Sequence, residues 1–579
     1  MKNISFVVVV LLVAVGLAAA EIKNKGWWKN AVFYQVYPRS FKDSNGDGIG
    51  DLKGITSKLQ HFHATGITAI WLSPINKSPM KDFGYDISDF REVDPRFGTL
   101  KDLEELLKKA HDIGLKVILD LVPNHTSDKH SWFQRSVNNT KPYADYYIWA
   151  NGTGKDLRTP PNNWVSVFNG SAWTYNEQRK QFYFHQFLDL QPDLNYRNPN
   201  VQKEMQDIME FWLDKGIDGF RIDAVPHLYE LNDITKNEPK LDNVDPKLNT
   251  THHAYYNHIY TKDQNETYIL VQSWRTFVDE YAKKKNREEI VLLTEAYTSL
   301  SNTTKYYNYG SHIPFNFKFI TDADANSNAT QLKNVIDSWI KSMPKDNVAN
   351  WVMGNHDRVR LGSRYVNRAD QMIMLEMILP GVAVTYYGEE IGMVDIPGPI
   401  VYDVRDGCRS PFQWDNTTSA GFSSNATTWL PVNANYKDVN LQKEKNEKNS
   451  PYQLYTKLIE LRKSDTLKHG SLVTKDLSKY VLAVMRETET ETVSLLINTS
   501  KNKTSVNLRQ LGSTKVNEKP TKVQLGSTNF DKAPGTSVNN LAIELPGHAA
   551  VILISSGASL ASYSVVSLVF TVLFSLFPW

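Results

Sequence analysis

A closed α/β barrel of eight parallel strands alternating with helices is the fold class that the sequence predicts. With it come an inserted domain after the third strand and an antiparallel β-sandwich domain at the C-terminal end. Three observations carry this. Eight short apolar runs, each closing on polar residues, recur with amphipathic stretches between them. After the third run, a polar and aromatic stretch far too long for a loop intervenes. After Lys463, the helical pattern gives way to alternating runs between Gly, Asn and Lys turns.

Residues 1–20 combine Lys2, an apolar run from Phe6 to Val15 and the small residues Ala18-Ala19-Ala20, the pattern of a cleaved signal peptide. The first barrel segment then spans 21–126, with strands predicted at Ala31–Pro38, Ile67–Pro74 and Lys116–Pro123 and a helix over Leu100–Ile113. The loop after the first strand reads Asp43-Ser44-Asn45-Gly46-Asp47-Gly48-Ile49-Gly50-Asp51. Its oxygen-bearing side chains at alternate positions copy the opening half of a helix-loop-helix calcium site, but Gly54 stands where a bidentate Glu belongs. A polar turn without an ion is one reading; the mutual repulsion of Asp43, Asp47 and Asp51 favours the other, a hard cation. The insertion runs over 127–196. The barrel resumes over 197–465, with a helix over Asn200–Lys215 and strands at Gly219–Val225, Ile290–Ala296, His312–Phe319, Val348–Asn355 and Ala383–Gly388. Within it, Leu441–Ser450, "LQKEKNEKNS", reads as a solvated loop. The sheet domain fills 466–555. Residues 556–579 begin with small residues and end in an apolar tail with no basic stop, the pattern exchanged for a glycosylphosphatidylinositol anchor.

The 65 basic and 63 acidic residues leave a net charge of +2, well mixed along the chain, so no basic stripe exists for nucleic acid. Cys408 is the only cysteine, so the fold contains no internal disulfide and must rest on its core. About ten Asn-x-Ser/Thr sites, among them Asn151, Asn169, Asn265, Asn302 and Asn425, agree with passage through the secretory route. Trp, Tyr and Phe are abundant; their planes suit sugar rings, though they also fill cores.

Polar residues gather where a barrel places chemistry, at the carboxyl ends of the strands. In "GFRIDAVPH", Arg221 and Asp223 lie two apart on one strand and share a face, so the guanidinium is expected to hold the carboxylate anionic, as a nucleophile requires. "LLTEA" ends the next strand with Glu295 in apolar surroundings that favour its protonated form. One anionic and one protonated carboxyl are the two parts of glycosidic-bond cleavage. "DLVPNH" adds Asp120 and His125, and "GNHD" adds His356 and Asp357.

With these four motifs, and with "GITAIWLSP", "QPDLN" and "YYGEEIG", the chain resembles the α-amylase family of glycoside hydrolases, family 13, from about Gly26 to Ser555. "QPDLN" resembles the oligo-glucosidase branch that includes the insect gut α-glucosidases. The resemblance implies a retaining double displacement on terminal α-linked glucose, with Asp223 as nucleophile, Glu295 as acid/base and Asp357 stabilising the transition state. It implies that His125, Arg221 and His356 bind the sugar, that Tyr85 stacks on its ring, and that Asp86 and Arg405 grip the far hydroxyls and make the enzyme exo-acting. Ala224, where relatives that prefer α-1,6 bonds carry Val, implies α-1,4 specificity, hence maltose and small maltooligosaccharides, with sucrose as a further substrate. Structural, non-catalytic calcium is implied at positions matching Asp43, Asn45, Asp47, the Ile49 carbonyl and Asp51. Cys408 departs from the Ala that relatives often carry. Anchored gut relatives also serve as bacterial toxin receptors, and a homodimer is a further expected partner state, though no residue argues for either. The rival reading is a catalytically silent membrane glycoprotein of the same fold; such relatives usually lose the catalytic carboxylates, which are all present here.

Overall fold

The computed structural model describes residues 21–398, 401–518 and 520–556, so the signal peptide over 1–20 and the anchor signal beyond residue 556 lie outside the described residues. Eight parallel strands form the central sheet: β1 Val32–Val36, β2 Ala69–Leu72, β3 Lys116–Leu121, β4 Gly219–Ile222, β5 Val291–Thr294, β6 Ile313–Pro314, β7 Asn350–Val352 and β8 Val382–Tyr386. Their ladder runs β6-β5-β4-β3-β2-β1-β8-β7. The seam between β6 and β7 is bridged by a side chain: Asn350 Nδ2 donates to the Pro314 carbonyl at 2.6 Å, and its Oδ1 accepts from Asn316 N at 2.8 Å. Pro314 has no N–H to give a ladder, so β6 is cut to two residues where the sequence predicted a run from His312 to Phe319.

The strands are buried almost throughout, which is why they read as apolar runs and not as alternation. Leu100–Asp112 shows how the helices lie against them: Thr99 and Asp102 close a capping box, and Leu103, Leu106, Leu107 and Ala110 face the core. Helix Pro199–Lys215 begins with Asn198 as cap and Pro199 at its first turn, and ends at left-handed Gly216.

Between β3 and β4, residues 127–196 form a helix, Ser131–Val137, and a three-stranded antiparallel sheet of Trp149–Ala150, Gln181–Phe184 and Trp173–Asn176. Trp164, Trp173, Phe182 and Phe184 pack beneath this sheet as a separate small core. The C-terminal segment is a six-stranded antiparallel sheet with a two-stranded partner. It includes Ser471–Ser478 and Thr521–Gly526, strands too polar in their alternation to stand out in the sequence. The charged segment at Leu441 is partly helical, Leu441–Asn446, a correction to the solvated loop: Asn440 caps it and Leu441 and Glu444 are buried. Among the described residues, no helix is long and apolar enough to cross a membrane.

Candidate active site

The parallel register sets Asp120 on β3 directly beside Arg221 on β4. The guanidinium is 1% exposed and serves three carboxylates. Its Nη1 donates to Asp120 Oδ1 at 2.8 Å and to Asp223 Oδ1 at 2.6 Å, and its Nη2 lies 2.7 Å from Glu295 Oε2. Three acids around one cation cannot all ionise cheaply. Burial pushes Glu295 up to about 8 and Asp223 up to about 6, in each case against the pull of Arg221; the Asp223 charge raises Glu295 further, while a hydrogen bond with Glu295 steadies the Asp223 anion. The expected lowering of Asp223 by Arg221 is thus outweighed by desolvation. What the cluster preserves is the order, with the proton held on Glu295 in preference to Asp223. Asp120, also raised by burial to about 7, lies deeper and accepts from Trp71 Nε1 and Tyr85 OH.

Asp357 is the opposite case. Burial alone would raise its carboxyl, but His356, Arg409 and Arg405 hold it well below the usual range. Arg409 Nη2 is 3.1 Å and Arg405 Nη1 3.4 Å from its Oδ1. Gln35 Nε2 donates to His356 Nδ1 at 2.8 Å, which leaves His356 Nε2–H facing Asp357 Oδ2 at 3.4 Å. Burial keeps that imidazole neutral, pushing it down to about 3. The Tyr85 ring lies parallel to His356 at 5.3 Å.

These groups open into a cavity of about 380 Å³. Asp223, Glu295, Asp357, Tyr85, His125, His356, Arg405 and Ala224 all line it. Two expected contacts do not. Arg221 lies behind the carboxylates and orients them, so it has no face toward the cavity. Asp86 is fully buried, and its oxygens are taken by Ser78 Oγ, Lys81 N and Asp82 N. Asp82, four residues earlier in the same turn, faces the cavity instead and pairs with Arg405 Nη2 at 2.8 Å. The sequence offers both acids around Phe83-Gly84-Tyr85, and only the folded turn shows which carboxylate is consumed locally.

Residues that the sequence reading passed over complete the site. Asp403 grips Arg405 at Nε and Nη2, both at 2.8 Å. Gln191, the first residue of "QPDLN", donates to Asp82 Oδ2 and approaches His125 Nε2, so the inserted segment helps close the far wall. Val167, Phe168 and Phe187 from that segment, with Val404, form an apolar outer rim. Ala224 sits in the left-handed region at φ 47°, ψ 35°, with its N–H donating to Glu295 Oε2 at 3.1 Å. A branched side chain there meets backbone strain, so Ala224 bears on the geometry of the Glu295 carboxyl. A larger neighbouring cavity, about 590 Å³, shares Tyr297 but contains none of the three acids.

In the loop after β1, Asp43 accepts from Asn45 N, Gly46 N, Gly48 N and Ser423 Oγ, and Asp51 from Ser44 N, Ser44 Oγ and Gly54 N. Gly46 and Gly48 carry φ of 82° and 87°, which lets the chain wrap these oxygens. Among the described residues, no group of three or more His, Cys, Asp or Glu side chains is arranged to hold a metal. The all-oxygen donor set of Asp43, Asn45, Asp47 and the Ile49 carbonyl fits a hard cation in chemistry, and Asp43 and Asp51 are already satisfied by the chain itself.

Residues 35–470 match the family described as alpha amylase, catalytic domain. The chain is 48% identical over 506 residues to Maltase 1 of Drosophila virilis, covering 83% of this chain and 79% of that protein. It is also 42% identical to the amino acid transporter heavy chain SLC3A1 of Homo sapiens, over 80% of this chain and 69% of that one. Among solved structures, the alpha-glucosyl transfer enzyme XgtA superposes with a TM-score of 0.80 at 33% identity, covering 91% of this chain and 99% of that chain.

Proposed function

The chain belongs to the α-amylase family of glycoside hydrolases, and from that premise we propose that it is a retaining, exo-acting α-glucosidase. Its substrates on this reading are terminal α-1,4-linked glucose in maltose and small maltooligosaccharides, with sucrose a further candidate. One observation carries it: Asp223 and Glu295 share one buried guanidinium beside a cavity that the paired Asp82 and Arg405 also line, where on this reading they close the space behind a terminal ring. A cavity closed behind one sugar ring admits a chain end and not a chain interior. Membership alone does not separate catalysis from a silent role, since relatives of this identity include a transporter heavy chain; the intact acid cluster supports catalysis.

In the proposed reaction, Asp223 attacks the anomeric carbon while Glu295 gives its proton to the departing glycosidic oxygen. Loss of that proton leaves Glu295 as the base that activates water, and the water displaces Asp223 from the glucosyl ester, restoring the α configuration. Asp357, held anionic by its arginines, faces the positive charge that develops on the ring. The purified protein should therefore release glucose from maltose as the α-anomer, well ahead of release from isomaltose, and Asp223→Asn should reduce turnover about ten-thousand-fold or more. No glucose release from any of a panel of α-linked disaccharides would leave the silent-glycoprotein reading in its place.

Calcium at the loop after β1 is proposed as structural only, held by Asp43, Asn45, Asp47, the Ile49 carbonyl and Asp51, with no part in bond cleavage; metal analysis of never-chelated protein tests it. The proposed location is the outer face of the plasma membrane, tested by release with phosphatidylinositol-specific phospholipase C.

A further inference from the structure

Tyr297 stands two residues beyond Glu295, just past the end of β5, and both side chains line the catalytic cavity. Its ring is held by two side chains and its backbone by a third. It stacks on Phe317 at 4.5 Å, the Arg358 guanidinium lies 5.4 Å from its centre, and its carbonyl accepts from Lys262 Nζ at 2.5 Å. The phenol oxygen is held as well. Asn355 Oδ1 accepts from Asp357 N at 3.1 Å, which fixes the amide so that its Nδ2 donates to Tyr297 OH at 2.8 Å. An oxygen that already accepts has its own proton to give. Among the described residues, no protein atom takes that proton. Tyr85, the other phenol lining the cavity, is spent on Asp120. The cavity wall has no Ser or Thr hydroxyl; Phe168, Phe187 and Val404 are apolar, and its polar groups other than the two phenols are carboxylates, imidazoles and guanidinium groups.

We propose that Tyr297 is a specificity-determining residue for the leaving side of the bond, donating its phenolic proton to a hydroxyl of the second sugar. This deepens the α-glucosidase reading and rests on it. Because Glu295 meets the glycosidic oxygen, a donor two residues away in the same cavity wall is within reach of the ring beyond that oxygen. A leaving group with no hydroxyl in that place gains nothing from Tyr297, and a second glucose does.

The test compares maltose with an aryl α-glucoside, which presents the same glucosyl unit but no sugar hydroxyl beyond the bond. Tyr297→Phe should lower kcat/KM for maltose about ten-fold or more, the scale of one hydrogen bond to a buried partner, and lower it for the aryl glucoside far less. A merely structural role for the ring would reduce both alike, and that outcome overturns the proposal. The unaltered protein supplies a second test that needs no variant to fold. Among maltose analogues lacking one hydroxyl on the reducing-end ring, one should lose kcat/KM by a similar factor. Indifference to every such deletion would equally overturn it. Failure of the unaltered protein on maltose and aryl glucoside together would instead reject the α-glucosidase reading itself.

Discussion

Glu295, Asp223 and Asp120 draw on a single guanidinium, and the order in which they keep protons decides when the site can act. The active form needs Asp223 ionised and Glu295 protonated. Its population grows as pH rises through the Asp223 value of about 6 and falls as pH rises through the Glu295 value of about 8. A bell with limbs near those values is expected for kcat/KM, the two limbs belonging to the coupled cluster more than to single residues. Glu295→Gln has no proton to lose, so its residual activity on an aryl glucoside, whose leaving group departs without protonation, should show no alkaline limb. A limb that survives would place the titrating proton on Asp120 instead. The sequence exposes these acids because each closes a strand. It does not expose the contest between burial and Arg221, since that depends on how many carboxylates the fold brings to one cation.

Each strand of the barrel was legible where both faces are buried and the run is therefore apolar, as in β1, β3 and β5. Legibility failed where a local contact overrides the pattern. Pro314 shortens β6, the Asn440 cap recruits a charged segment into a helix, and the turn around Asp86 consumes the carboxylate that the family resemblance had placed at the substrate. The loop after β1 shows the same effect on a proposed metal. Asp43 is 3% exposed and takes four donors, including Ser423 Oγ from a distant segment, so its carboxylate ties the loop to that segment. Asp43→Ala leaves those donors unpaired and should cost about 2–4 kcal/mol, read as a lowered Tm. Chelation should lower Tm by less while turnover at moderate temperature holds, because cation binding adds only its mass-action contribution to the folded state. A chelation shift as large as that of Asp43→Ala would mean that the ion, not the backbone, organises the loop.

At the scale of the whole molecule, the C-terminal sheet is not an appendage. Leu482, Val484, Val493, Leu495, Ile497 and Ile552 on its inner face belong to the same continuous core as Met374, Ile378 and Leu458 on the barrel's helices. Polar contacts stitch the same boundary. Arg486 Nη1 donates to the Ile378 carbonyl at 3.1 Å, and Gln371 Nε2 to the Asn498 carbonyl at 2.7 Å, with both side chains buried. At roughly 1.5–3 kcal/mol for each fully buried apolar side chain, those six sheet residues alone represent roughly 9–18 kcal/mol, as much as an entire domain's net stability. The catalytic-domain match ends at residue 470, just before the sheet begins, a boundary that the packing does not respect. A chain ended after Gly470 should thus fail to accumulate as a soluble, active barrel, although every residue of the catalytic cavity remains in it. Residues 21–556, in contrast, should unfold in one calorimetric transition, with loss of glucose release coinciding with it. Two resolved transitions, or an active barrel lacking the sheet, would show that the shared core is an interface between independent units and not a single cooperative structure.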